Sequence, residues 1–281
     1  MFVRADQLLI EQTQDSFPLH VLDFHWEEFK PHMICRDMTS DDISEFDLSD
    51  VRFAVSKKKM CVGYWDDDGK YVKCPTGAIV SRFDQCQECS AESFIPYQEC
   101  IFEPRCDGEI CDLAFCKREH VLYVAFYDTD EKIGMSSTRR VEQRLIEQGA
   151  DAFSIIGAFP SRKKARDAEK KISARLRIPQ SHKQEHLLRG LAKSVDVQAI
   201  EKHHETLKAR LGETFGLTPE PLRLLDRYPV ELPLKQMPHL VDSWGKHKGD
   251  YIGIKGRWLL FDPGAPKALN LSDLPARFMS R

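Results

Sequence analysis

A chain of 281 residues, 42% hydrophobic and 30% charged, can bury one large core or about two or three smaller ones, which excludes a largely disordered protein. The formal charge of −3 excludes a uniformly basic surface, and no apolar run approaches the roughly 18 residues of a membrane span. The opening MFVRADQLLIEQ lacks the basic and apolar regions of a secretion signal, so the expected setting is cytoplasmic, without a membrane.

Residues 1–50 hold twelve Asp and Glu against Arg4, Lys30 and Arg36, a balance of −9. Within and after them, "FHWEEF" and "DVRFAVSKKKMCVGYW" read as strands that lead into a cysteine-rich stretch. Eight of the nine cysteines follow: Cys61, Cys74, Cys86, Cys89, Cys100, Cys106, Cys111 and Cys116, with His120 just beyond. An odd total without a secretion signal argues against a disulfide framework, because the cytosol keeps thiols reduced. Cys86-Gln-Glu-Cys89 is a C-x2-C knuckle, whose tight turn brings two thiolates to one tetrahedral ion. The surrounding residues are rich in Gly, Pro and Asp and poor in apolar periodicity, so a metal would supply stability that no core provides. Eight thiols suit one or two structural Zn2+ ions: Cys61, Cys74, Cys86 and Cys89 for one, and Cys100, Cys106, Cys111 and Cys116 for the other, with His120 as a substitute ligand. An iron–sulfur cluster fits the same ligands, and a set of buried free cysteines is the plain alternative.

The next segment alternates strands and helices. Residues 121–127 are β-branched and aromatic, Asp128-Thr129-Asp130 reads as a turn, and residues 131–134 as a short returning strand. Ser136, Ser137 and Thr138 offer helix caps, Val141, Leu145 and Ile146 form an apolar stripe, and Gly149 ends the helix. A strand over residues 153–159 precedes a second helix opened by Pro160-Ser161, with Ala165, Ala168, Ile172 and Leu176 inward. The order β-β-α-β-α makes a compact α/β unit. Residues 132–189 hold fourteen Lys and Arg against six acids, a balance of +8, which is either an electrostatic footprint for a polyanion or two solvated helix faces. Residues 190–227 read as a helical pair with Val197, Ile200, Leu207 and Leu211 inward and His203-His204 on the surface. Then "DYIGIKGRWLLFDPG" suggests a closing hairpin or small barrel, where Lys255, Arg257 and Trp258 could stack on and neutralise a nucleic acid. No repeat, P-loop, dinucleotide fingerprint or hydrolase elbow is present.

The central order resembles the GIY-YIG nuclease domain. Val121-Leu122-Tyr123 stands where that family has Gly-Ile-Tyr, and Lys132-Ile133-Gly134 where it has Tyr-Ile-Gly. The resemblance implies that Arg140 or Arg144 is the catalytic arginine and that Glu169 holds a divalent ion, Mg2+ or Mn2+. Tyr123 would orient or deprotonate water and Lys132 would assist, although lysine is no like-for-like replacement for tyrosine. The chain also resembles an uncharacterised prokaryotic domain-of-unknown-function family over roughly residues 55–270. It does so through Gln85-Cys86…Cys89, His120-Val121-Leu122-Tyr123-Val124-Ala125, Lys132-Ile133-Gly134, Arg144-Leu145-Ile146-Glu147-Gln148-Gly149-Ala150 and "GIKGRWLLFD". Together these readings predict an α+β protein: an acidic segment and zinc-binding β module over 1–119, a GIY-YIG-like domain over 120–189, and a helical segment with a β hairpin or small barrel over 190–281. The expected function is metal-dependent phosphodiester cleavage of DNA or RNA. The alternatives are a non-catalytic zinc-containing nucleic-acid-binding module and a protein-interaction scaffold.

Overall fold

A computed structural model of the chain describes residues 17–93, 98–110 and 114–281. In chain order its first strands are β1 (Leu19–Glu27), β2 (Lys30–Asp37), β3 (Ile43–Glu45), β4 (Arg52–Lys59), β5 (Tyr64–Trp65) and β6 (Tyr71–Val72), followed by helix α1 (Gln87–Ser93). Helix α2 (Ala114–Lys117) leads into β7 (His120–Tyr127), β8 (Asp130–Ser137), α3 (Val141–Gln148), β9 (Ala152–Phe159), α4 (Arg162–Leu176), α5 (Gln184–Gly190) and α6 (Val197–Phe215). The remaining strands are β10 (Arg223–Leu224), β11 (His239–Leu240), β12 (Gly245–Lys248), β13 (Asp250–Lys255), β14 (Trp258–Asp262), β15 (Lys267–Asn270) and β16 (Arg277–Ser280). The class is α+β, with several separate sheets. No helix among the described residues is long and apolar enough to cross a membrane.

The chain folds into two compact units, Met1–Gln98 with His239–Arg281, and Glu99–Pro238. The first joins strands far apart in the chain because β16 pairs antiparallel with β1 on one side and β4 on the other, in a six-stranded sheet ordered β12-β4-β16-β1-β2-β3. Val21, Trp26, Met33, Phe53, Val55, Phe278 and Met279 form its apolar interior. The ninth cysteine, Cys35, lies buried in β2, and burial pushes its thiol up to about 12, so it is inert at neutral pH. A second sheet, β11-β15-β14-β13, contains the expected hairpin, with Gly256 at a φ of 57° in its turn. Trp258 through Phe261 are buried on both faces of β14, and Lys255 is buried as well. Of the three residues expected to stack on and neutralise a nucleic acid, Lys255 and Trp258 are therefore enclosed, because alternate residues of this hydrophobic strand both find core, while Arg257 in the turn is half-buried.

The second unit is built on a four-stranded sheet, β10-β9-β7-β8. Its central strand β7 is buried on both faces, as its unbroken run of apolar and aromatic residues requires. Leu122, Val124 and Phe126 pack with Ile156, with Ala165, Ile172 and Leu176 of α4, and with Ile200, Leu207 and Leu211 of α6. Each fully buried large side chain of this set contributes roughly 1.5–3 kcal/mol of transfer free energy. Helix α4 starts where Ser161 accepts the Lys164 amide at 3.2 Å. Helix α3 ends at Gly149, whose φ of 75° lets its amide reach back to Leu145 and Ile146, as the sequence suggests. Its start differs from expectation: β8 runs through Ser137, Thr138 donates to Glu119 at 2.9 Å, and Arg140 takes the N-cap position without a side-chain cap. On α6 the inward set is Ile200, His204, Leu207 and Leu211, while Val197 is exposed. His204 is thus a core residue packed against the Phe126 ring, which corrects the surface reading.

Candidate functional site

Two constellations of chemically capable side chains stand out, one in each unit. In the first, Cys61 precedes β5, Cys74 follows β6, and Cys86 and Cys89 sit at the start of α1. Their sulfurs all lie within 4.8 Å of one another. A tetrahedral zinc with bonds of about 2.3 Å spaces its sulfurs by about 3.8 Å, so small side-chain rotations complete the shell. The amides of Gly63 and Cys86 point at the Cys61 sulfur at 3.4 and 3.2 Å, which is what a thiolate accepts. Gly63 has a φ of +79°, and a Cβ there would lie 2.2 Å from the Val72 carbonyl oxygen, so the turn admits only glycine. The Tyr71 hydroxyl donates to Val62 O at 2.8 Å and the Gln85 amide to Gly63 O at 2.7 Å, fixing the same turn from outside.

Burial pushes the Cys61 thiol up to about 11 and raises Cys89 further. Burial also opposes ionisation of Cys74, but hydrogen bonds from Thr76 and the Ala78 amide outweigh it and hold that thiol at about 6. Four thiols this close cannot all shed protons without a cation among them, and a divalent ion satisfies that demand. Cys61, Cys74 and Cys89 are buried and Cys86 half-buried, so the set is closed in the manner of a structural site.

The other expected ligand set lies in the second unit. Cys106 and Cys116 are buried and Cys100 half-buried, whereas Cys111 lies outside the described residues. Among the described residues the 61–89 set is the one convergent metal-ligating group, so Cys100, Cys106, Cys116 and His120 do not close a site on their own. The His120 Nδ1 lies 2.9 Å from Arg118 O, its ring packs edge-on to Phe115, and burial lowers its pKa.

The second constellation centres on Tyr123, in the middle of β7 and fully buried. It pairs with Gly134 of β8, and a Cβ at that glycine would lie 2.5 Å from the phenol oxygen, so the glycine exists to seat the ring. Burial raises the phenol's pKa; Arg144, one turn into α3, and Gln148, one turn further, act against that rise, while the charge of Glu169 adds to it. Gln148 is the hub: its Oε1 accepts from Lys132 Nζ and, at 3.3 Å, from the Tyr127 hydroxyl. Glu169 on α4 has a side chain only 6% exposed and takes Arg166 Nη1 at 2.8 Å. Burial raises its pKa, and the cations Arg166 and Lys132 oppose that rise.

Tyr123, Lys132, Arg144 and Glu169 thus come together around Gln148 and Arg166. Arg140 does not join them: it stands at the N-cap, 53% exposed, paired with Glu147 at 3.1 Å. Arg144 is just as exposed, at 52%, and lies 4.0 Å from Glu147 as well, but it differs in acting also on the Tyr123 phenol. Three cations, Lys132, Arg144 and Arg166, meet the neutral phenol and the carboxylates of Glu169, Glu147 and Glu103, and the Arg144 side chain is half-exposed and so open to solvent. Gln148 and Arg166 carry no chemistry a sequence scan singles out, although Gln148 opens the Gln-Gly-Ala step that ends α3. His182, edge-on to Tyr127 at 5.4 Å with its pKa lowered first by burial and then by His186, borders the same cluster and had no sequence signal.

Residues 49–275 match the family described as Protein of unknown function (DUF2797). No curated protein and no solved structure matches the chain.

Proposed function

The chain belongs to the DUF2797 family, and from the chemistry of its two constellations we propose that it is a zinc-containing protein that binds the phosphodiester backbone of DNA or RNA and cleaves it with Mg2+ or Mn2+ held at Glu169. The single observation that carries this reading is the convergence of a buried phenol, a buried carboxylate and a solvent-reaching arginine from three separate elements, β7, α4 and α3. Burying the Glu169 carboxylate is costly, and the Arg166 pair at 2.8 Å offsets that cost. The four-thiolate set would hold Zn2+ and stabilise the first unit.

In this reading Arg144 grips a phosphate oxygen and neutralises charge that grows during displacement. A divalent ion at Glu169 would supply Lewis acidity to the phosphate. A phenol already carries its proton at neutral pH and burial raises the Tyr123 pKa further, which supports orienting a water or phosphate oxygen rather than acting as base. Lys132 acts through Gln148, which it holds in place. Glu169→Gln should abolish Mg2+- or Mn2+-dependent cleavage of labelled single-stranded, duplex and hairpin substrates while retaining most binding. If wild type and Glu169→Gln behave identically on all of them, hydrolysis is refuted. The complete burial of Tyr123 and the Glu169–Arg166 pair favour, as second reading, a non-catalytic binding module, which that outcome would leave standing.

A further inference from the structure

The stripe Arg162, Arg166 and Lys170 runs along α4 at four-residue spacing, next to Glu169. It is not open. Glu103, on the segment between Cys100 and Cys106, places one carboxylate oxygen 3.3 Å from Arg166 Nε and the other on Lys170 Nζ. Two cations on successive turns each take one oxygen of a single anion, the grip by which a phosphate is held. We propose that Arg166 and Lys170 form a second oxyanion subsite, for a phosphate of the same ligand that Arg144 engages, and that Glu103 is its internal occupant. This rests on the phosphate-binding reading above and adds to it a second contact and a built-in competitor.

Three features separate this from an ordinary surface ion pair. Arg166 is held in place without Glu103, since its Nη1 donates to Glu169 and to Gln180 Oε1, both at 2.8 Å, leaving the Nε edge for a ligand. The Glu103 segment is also anchored independently, since Asp107 accepts from Ser161 at the helix start. Removing the carboxylate therefore need not unfold anything. Finally, Glu103 and Lys170 are about half-exposed, so their pairing is weak enough for a doubly contacted phosphate to displace it.

The test measures binding of a short labelled oligonucleotide of mixed sequence by fluorescence anisotropy at low salt. Glu103→Gln should tighten binding about three- to tenfold and steepen its salt dependence, because another phosphate contact releases further counterions. Glu109→Gln makes the same charge change on the same segment at an exposed residue and should do much less. In a Lys170→Met background the gain from Glu103→Gln should vanish. If Glu103→Gln binds no more tightly, or no more tightly than Glu109→Gln, while Arg144→Ala weakens binding, the subsite is overturned and the phosphate reading survives. If neither wild type nor Glu103→Gln binds at the lowest salt, both fall.

Discussion

Adding one methyl group at Gly134 tests whether the candidate site is built as the structure has it. The Cβ of Gly134→Ala would lie 2.5 Å from the Tyr123 hydroxyl oxygen, 2.6 Å from Cζ and 2.9 Å from Cε2, where ordinary contact begins at 3.4 Å. The overlap is with a ring enclosed by β7, β8 and α3, and a fully buried side chain has nowhere to swing. Forcing it aside should cost about 1–3 kcal/mol, the usual range for overpacking. In a Tyr123→Val background the obstruction is gone, and alanine in place of glycine in a strand should be neutral or stabilising by about 0.5 kcal/mol. The double-mutant cycle should then return a coupling of about 2 kcal/mol. Urea unfolding followed by far-UV circular dichroism and by hydrogen exchange of β7 and β8 reads the effect. All four tryptophans, Trp26, Trp65, Trp244 and Trp258, belong to the other unit, so their fluorescence reports that unit separately. Equal cost of Gly134→Ala in both backgrounds would refute the seating of Tyr123 against this glycine.

Metal analysis should find zinc, with one equivalent lost in Cys74→Ser or Cys89→Ser, and chelation should lower the unfolding midpoint of the tryptophan signal, since structural zinc is worth on the order of 10 kcal/mol in small zinc domains; a metal-free protein indifferent to chelator would refute the site. Burial and then the nearby Lys267 hold the His247 pKa down to about 4, against 6.5 unfolded. Between those values the unfolded chain binds more protons, so this contribution is complete above pH 6.5 and is lost as pH falls toward 4, by roughly 2 kcal/mol after solvent screening. His247→Phe should flatten the pH dependence in that window, and an unchanged slope would count against it. Arg144→Ala should weaken oligonucleotide binding more than Arg140→Ala, because only Arg144 reaches Tyr123; equal losses would point to non-specific charge.

The local code was legible where a single physical cause dominates. Period-two and unbroken apolar patterns mark β7 and β9, Ser161 and Gly149 punctuate the helices as their cap chemistry dictates, and Ala165, Ile172 and Leu176 repeat at helical spacing. Less legible were features that depend on a neighbour brought from elsewhere. Ser136 to Thr138 are good caps, but pairing with β7 keeps Ser136 and Ser137 in strand conformation, because ladder hydrogen bonds outweigh a cap worth about 1 kcal/mol. Trp258 and Lys255 looked like a nucleic-acid surface until the packing around their hairpin buried them both.

The sequence by itself determined the α+β class, the clustering of cysteines and the β-β-α-β-α order, because each follows from residue type, spacing and local propensity along a contiguous chain. It left open which cysteines come together and which arginine meets the buried phenol. Both depend on distances between residues far apart in the chain. Tertiary structure decided the first by folding Cys61 and Cys74 across the β5–β6 hairpin onto the start of α1, so that residues up to 28 positions apart come within 4.8 Å. It decided the second through the packing of α3 against the sheet, which no local spacing fixes: Arg144 and Arg140 are equally exposed, yet Arg144 acts on the buried Tyr123 phenol while Arg140 pairs with Glu147 at 3.1 Å.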